Sequence, residues 1–182
     1  KKKNPNKLTM TATPIPRTIA QTLFSDMDLS VIDELPKNRQ RIKTWLVPNE
    51  KRDNAYDWMK KQIKELKSQA FIICPLVEES ESETLKDVKS VKKEFNNLQS
   101  VFSDLKLRLL HGKLKEKEKN EVLNSFKEGR IDILVSTPVV EVGIDIPNAT
   151  IMLIEASDRF GLAQLHQLRG RVGRGSKESY CL

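Results

Sequence analysis

Two arginines three positions apart, each behind a glycine, lie in the run Gln167-Leu168-Arg169-Gly170-Arg171-Val172-Gly173-Arg174-Gly175. A guanidinium is planar, permanently charged and forked, so it matches the oxygens of a phosphate chain. A glycine beside it lets the backbone approach a ligand closely. Opposite a transferring γ-phosphate, Arg171 or Arg174 would stabilise the charge that develops in the transition state, an effect worth roughly 10³–10⁵ in rate. A basic glycine-rich loop can also grip phosphates without doing chemistry. Gln167 at its head and the amphipathic helix before it favour the catalytic reading.

Three further groupings could touch phosphates or hydroxyls. Val135-Ser136-Thr137-Pro138-Val139-Val140-Glu141-Val142-Gly143-Ile144-Asp145 follows an apolar strand, which puts the Thr137 hydroxyl at the end of that strand, where free backbone N–H groups favour an anion. Asp145, two residues after Gly143, offers a carboxylate to a ribose hydroxyl, although an Asp before Ile-Pro also suits a turn. Thr9-Met10-Thr11-Ala12-Thr13-Pro14 clusters hydroxyls at the end of a short strand, where they would bond to an acid or a phosphate, or simply form a threonine-rich turn. His111-Gly112 follows another strand and reads either as a nucleic-acid contact or as a structural histidine. The two histidines and two cysteines are scattered without ligand spacing, so no metal site is expected.

These residues need a scaffold, and the apolar pattern describes one. Tyr56, Met59, Ile63 and Leu66 recur at helical spacing and predict an amphipathic helix over residues 53–67. Continuous apolar runs at 70–74, 107–110, 131–136 and 150–155 predict strands, with a further strand starting at 179. Helices are expected over 88–98, 115–127 (Lys117 paired with Glu121, Gly129 closing the end) and 161–169. Apolar strands alternating with helices imply a parallel sheet covered on both faces. Strand-to-helix loops then gather at one edge, and all the groupings above are expected there. Residues 1–47 differ: four prolines lie at 5, 14, 16 and 36, a fifth follows at 48, and a β-branched strand is expected over 42–47.

A net charge of +7 suits a polyanionic partner as well as a lysine-rich solvated surface. No apolar run is long enough to span a bilayer, and the basic N-terminus has no apolar stretch behind it. Neither a membrane partner nor a secretory signal is expected, and two cysteines in apolar contexts read as buried reduced thiols, in keeping with a cytoplasmic compartment.

Taken together the motifs resemble those of superfamily 2 helicases. Within that superfamily the runs Thr11 through Thr18, Ser30 through Pro36, Cys74 through Ser80 and Gly161 through Gly175 are similar to the RecG family of bacterial DNA helicases. The transcription-repair coupling translocases share the first and last of these and remain an alternative, as does a non-catalytic nucleic-acid-binding module. The resemblance implies an α/β fold: a RecA-like parallel sheet with helices on both faces. Residues 1–47 would be the end of a first motor domain plus linker, and 48–182 a second RecA-like domain, truncated at its C-terminus. It implies Arg171, Arg174 and Gln167 as catalytic residues, and Gly143 and Asp145 as ATP contacts. Thr137, His111 and Gly112 would contact DNA, while Thr11, Ala12 and Thr13 couple hydrolysis to DNA binding. ATP and Mg²⁺ would be used by a full-length parent, and branched or forked DNA would be the substrate. The first motor domain and an N-terminal DNA-binding region of the same protein would be partners. The chain lacks G-x-x-x-x-G-K-[ST] and an acidic magnesium-binding box, so the fragment alone is expected to hydrolyse no ATP and hold no cofactor.

Overall fold

A computed structural model describes residues 30, 32, 34, 40–75, 85–138 and 146–182. The chain divides into units Lys1–Leu35 and Pro36–Leu182. Nearly all of the described residues belong to the second unit, and the architecture below is its own.

Among the described residues six strands form one sheet in the order β1-β6-β5-β2-β4-β3. They are β1 (Lys43–Thr44), β2 (Gln69–Ile73), β3 (Leu107–Leu110), β4 (Ile133–Ser136), β5 (Ala149–Ile154) and β6 (Tyr180–Cys181). Every pairing is parallel. Four helices accompany them: α1 (Arg52–Leu66), α2 (Leu85–Val101), α3 (Glu116–Lys127) and α4 (Leu162–Arg169). The parallel sheet with helices on both faces is therefore as the sequence pattern predicts. The strand expected over 42–47 is present as β1, which joins the sheet edge beside β6.

The period-2 alternation of each strand divides the core in two. Ala70 and Ile72 of β2, Ile133 and Val135 of β4 and Ile151 and Leu153 of β5 face one side. There they meet Tyr56, Met59 and Ile63 of α1 and Val91 and Leu98 of α2. Phe71, Ile73, Leu134, Met152 and Ile154 face the other side, against Leu123 and Phe126 of α3, with Leu165 and Leu168 of α4 packed on the margin. The Phe71 and Phe126 rings meet edge to face at 5.0 Å.

Local chemistry sets the ends. Pro48 precedes the 3-10 turn Asn49–Lys51 that leads into α1. At the start of α3 the Glu118 carboxylate accepts the Lys115 backbone N–H at 3.0 Å, one of the donors a helix start leaves over. Gly129, at φ +74°, lets the chain turn out of α3, with its N–H donating to the Phe126 carbonyl at 3.0 Å. The expected Lys117–Glu121 pair is not among the ion pairs of the described residues; a pair that exposed adds little to a helix, so nothing compels it. Buried Gln69 ties layers together: its Nε2 donates to the Phe126 carbonyl at 2.6 Å and the Ile131 carbonyl at 2.7 Å.

Candidate functional site

The glycine–arginine loop leaves α4 and enters β6, so it is a helix-to-strand connection. In an all-parallel sheet that places it at the edge where strands begin. Its contacts agree. Gly175 lies against Pro147, just before β5, so closely that a Cβ there would come 2.8 Å from the Pro147 carbonyl oxygen. Lys177 Nζ donates to the Leu66 carbonyl, ahead of β2, and to Asn148 Oδ1, ahead of β5. Gln40 Nε2, ahead of β1, donates to the Ser176 carbonyl at 3.1 Å. The expectation that all the motifs share the strand-to-helix edge is thus corrected. A connection that precedes its strand must lie at the opposite end from one that follows it.

Three features hold this loop. The Val172 side chain is fully buried in the same cluster as Phe71 and Met152. Gly173 has φ +73°, and a Cβ on it would meet Ile42 Cγ1 at 2.9 Å. Helical turns continue out of α4, with Arg171 N–H donating to the Leu168 carbonyl at 3.0 Å. Arg171 and Arg174 flank the buried Val172-Gly173 pair, the first half-buried and the second exposed. Gln167 is exposed near the end of α4. Arginines set on an anchored backbone suit a phosphate chain, because that backbone has little conformational freedom left to lose on binding.

The other grouping sits at the strand-to-helix edge. The register Leu110↔Ser136 between β3 and β4 puts His111 beside Thr137, one residue beyond each strand. Both are buried, at 5% and 1% exposure, so Thr137 does not stand open at the edge as its position in the sequence suggests. The Ser136 and Thr137 hydroxyls make no hydrogen bond among the described residues, an arrangement that costs on the order of 1–3 kcal/mol for each buried group. The Gly112 carbonyl accepts Lys119 Nζ at 2.6 Å, which fixes the loop against α3. Strands of four to six residues separate the two edges, roughly 13–20 Å at about 3.3 Å per residue. Gly143 and Asp145, and Thr11, Ala12 and Thr13, lie outside the described residues.

One polar cluster at the strand-to-helix edge was not anticipated from sequence. The Tyr56 hydroxyl accepts Arg52 Nε at 2.6 Å and donates to Glu155 Oε1 at 2.8 Å, while Arg52 Nη2 pairs with Glu155 and Glu94, each at 3.0 Å. Burial, followed by the Glu155 carboxylate, holds the Tyr56 phenol protonated far above its usual range. Only the i,i+4 spacing of Arg52 and Tyr56 was visible in sequence; Glu155 arrives from 99 residues away. Arg52, Tyr56 and Glu155 line a cleft of about 660 Å³ with Trp45, Leu162 and Arg169. Trp45 stacks on Tyr180 at 5.4 Å and meets Trp58 edge to face at 5.8 Å. Among the described residues no group of three or more His, Cys, Asp or Glu is arranged to hold a metal ion. No helix among them is long and apolar enough to cross a membrane.

Comparison with known proteins matches residues 53–176 to the helicase conserved C-terminal domain. The ATP-dependent DNA helicase RecG of Thermotoga maritima is 50% identical over 175 residues, which are 96% of this chain and 22% of that protein. The protein of the same name from Bacillus subtilis is 50% identical over 183 residues, covering 100% of this chain and 26% of its own length. The chain thus spans about a quarter of the length of these curated relatives. Among solved structures, RecG bound to a three-way DNA junction superposes with a TM-score of 0.75 at 46% identity, over 93% of this chain and 21% of that one.

Proposed function

The chain belongs to the helicase conserved C-terminal domain family, and from that premise we propose that it is the second motor domain of an ATP-dependent DNA helicase that remodels branched DNA. The observation that carries this reading is the anchored arginine loop at one sheet edge, with a second polar grouping at the opposite edge. Support comes also from relatives at 50% identity that bear the name RecG, and from the structural neighbour solved on a three-way DNA junction.

In this reading Arg171, Arg174 and Gln167 serve the phosphates of an ATP held mainly by the first motor domain of the parent, and Gly143 and Asp145 are further contacts of the nucleotide. Two guanidinium groups fit that ligand: they are always charged, and Val172 and Gly173 hold their backbone in place. The phosphate-binding loop and the residues for Mg²⁺ belong to the rest of the parent. Thr137, His111 and Gly112 meet the DNA backbone from the other edge, and Thr11, Ala12 and Thr13 couple hydrolysis to that contact. Because β4 and β5 are buried along their whole length, the domain between the edges is stiff. Closure on ATP then carries the DNA-facing edge as a rigid body, and release lets it return. The parent is expected to act on forked DNA in the bacterial cytoplasm, joined to its first motor domain and an N-terminal DNA-binding region.

The test is DNA-stimulated ATP hydrolysis by the intact protein on forked DNA, comparing wild type with Arg171→Ala and Arg174→Ala. Turnover is expected to fall by about 10³-fold or more in a variant that loses an arginine finger. Unchanged turnover in both variants refutes the assignment of the loop. DNA binding that is salt-sensitive but indifferent to ATP, with no hydrolysis in the wild type, refutes the motor itself.

A further inference from the structure

Residues 40–45 lie along residues 173–181, that is, along the end of the arginine loop and the strand β6 that follows it. Gln40 Nε2 donates to the Ser176 carbonyl at 3.1 Å. The Lys43 N–H donates to the Ser179 carbonyl and the Trp45 N–H to the Cys181 carbonyl, both at 2.9 Å. Lys43 Nζ pairs with Glu178 at 2.9 Å. Between these bonds sits Ile42. The position a Cβ would take on Gly173 lies 2.9 Å from Ile42 Cγ1 and 3.3 Å from Cδ1, so the isoleucine rests directly on the backbone of the residue between the two arginines' anchor points. Val172 grips the core from one side, and Ile42, itself partly buried against the same core cluster, closes the other.

We infer that Ile42 is a positioning residue for the arginine loop, acting with Gln40 as a clasp that sets where Arg171 and Arg174 stand. The inference rests on the reading that these arginines serve the nucleotide. Gly173 at φ +73° has no side chain to hold its place by packing, so its position depends on its neighbours. Of these, Val172 is fixed by the core. Ile42 is different: its segment begins only a few residues after the boundary between Leu35 and Pro36. A displacement of that segment therefore reaches the arginine backbone through one side chain and one hydrogen bond. Misplacing a reacting group by about 1 Å costs up to roughly 100-fold in rate, so the clasp has the leverage to switch turnover without any residue of the clasp touching the nucleotide.

The experiment uses the intact protein on forked DNA, with Ile42→Ala, the conservative Ile42→Val, Arg174→Ala, and the Ile42→Ala/Arg174→Ala pair. The expected result is a kcat lowered about 10- to 100-fold in Ile42→Ala, with KM for ATP within about twofold and kcat largely restored in Ile42→Val. In the Arg174→Ala background Ile42→Ala is expected to cost less in kcat than in the wild type, because only the part that acts through Arg171 remains. Backbone amides of residues 173–176 should also exchange faster in Ile42→Ala. An equal loss of kcat in both backgrounds assigns Ile42 to general stability and overturns the clasp. So does an unchanged kcat in Ile42→Ala when Arg174→Ala is impaired. Unchanged turnover in Arg174→Ala and Arg171→Ala overturns the nucleotide reading, and the clasp with it.

Discussion

Gly173→Ala puts a side chain where the structure has neither the backbone angle nor the room for one. The φ of +73° disfavours an L-residue by about 1–2 kcal/mol. The added Cβ would also stand 2.9 Å from Ile42 Cγ1, and relieving an overpacked contact of this kind costs typically about 1–3 kcal/mol. Together these make roughly 2–5 kcal/mol, a large share of a stability that in most domains is about 5–15 kcal/mol. Gly129→Ala supplies the control. Its φ is almost the same, +74°, yet nothing lies within 4 Å of the position its Cβ would take. It should lose only the backbone term of about 1–2 kcal/mol. Equilibrium urea unfolding, followed by the fluorescence of Trp45 and Trp58, reads both. With a slope of about 2 kcal/mol/M the midpoint should fall by about 1–2.5 M for Gly173→Ala and by less than about 1 M for Gly129→Ala. Equal shifts would show that Ile42 does not press on the loop, and would remove the steric half of the reasoning.

Gln69→Leu keeps the bulk but strips the buried Ile131 carbonyl of its Gln69 donor and leaves the Phe126 carbonyl with the Gly129 N–H alone. The orphaned Gln69 Oε1 disappears at the same time and offsets part of the loss, so about 1–3 kcal/mol is expected in urea unfolding; a change below about 0.5 kcal/mol would contradict it. Alkaline pH should also destabilise the fold. Burial pushes the Cys74 thiol up to about 12 and Cys181 up to about 11, from an ordinary value of 9.0. Both native thiols keep their protons while the unfolded chain loses them. The contribution is therefore complete below pH 9 and declines as pH rises toward the folded values, by at most about 1.4 kcal/mol per pH unit for each thiol. Urea midpoints at pH 7.5, 9 and 10 should fall across the last interval, less so in Cys74→Ala; identical slopes in the two proteins would exclude Cys74 as a cause.

Much of the fold was written in the hydrophobic pattern. Continuous apolar runs such as Ala-Phe-Ile-Ile at 70–73 can be buried only between two layers, and the helical spacing of Tyr56, Met59 and Ile63 identified the face that covers one of them. The arginine loop was equally visible as a motif. Its place at the sheet is carried by connectivity and not by the motif: residues 170–175 precede β6 instead of following a strand, and that alone assigns the edge. Other features had no local signal. Nothing near Tyr56 announces Glu155, and nothing near Gly173 announces Ile42, because both contacts arise only when the sheet brings distant strands together. Thr137 was legible as a hydroxyl at a strand end, but its burial depends on β3 and His111 alongside.

The β1–β6 edge joins segments very far apart in sequence, its ion pair spanning 135 residues, yet the strand pair is only two residues long. Contacts of such separation form late, since the chain between them must be ordered before they are rewarded. They are also cheap to undo, because releasing β1 breaks few backbone bonds and leaves both core clusters intact. Release of β1 is therefore expected to cost less than global unfolding, with Ile42 leaving the arginine loop while the buried core residues stay in place.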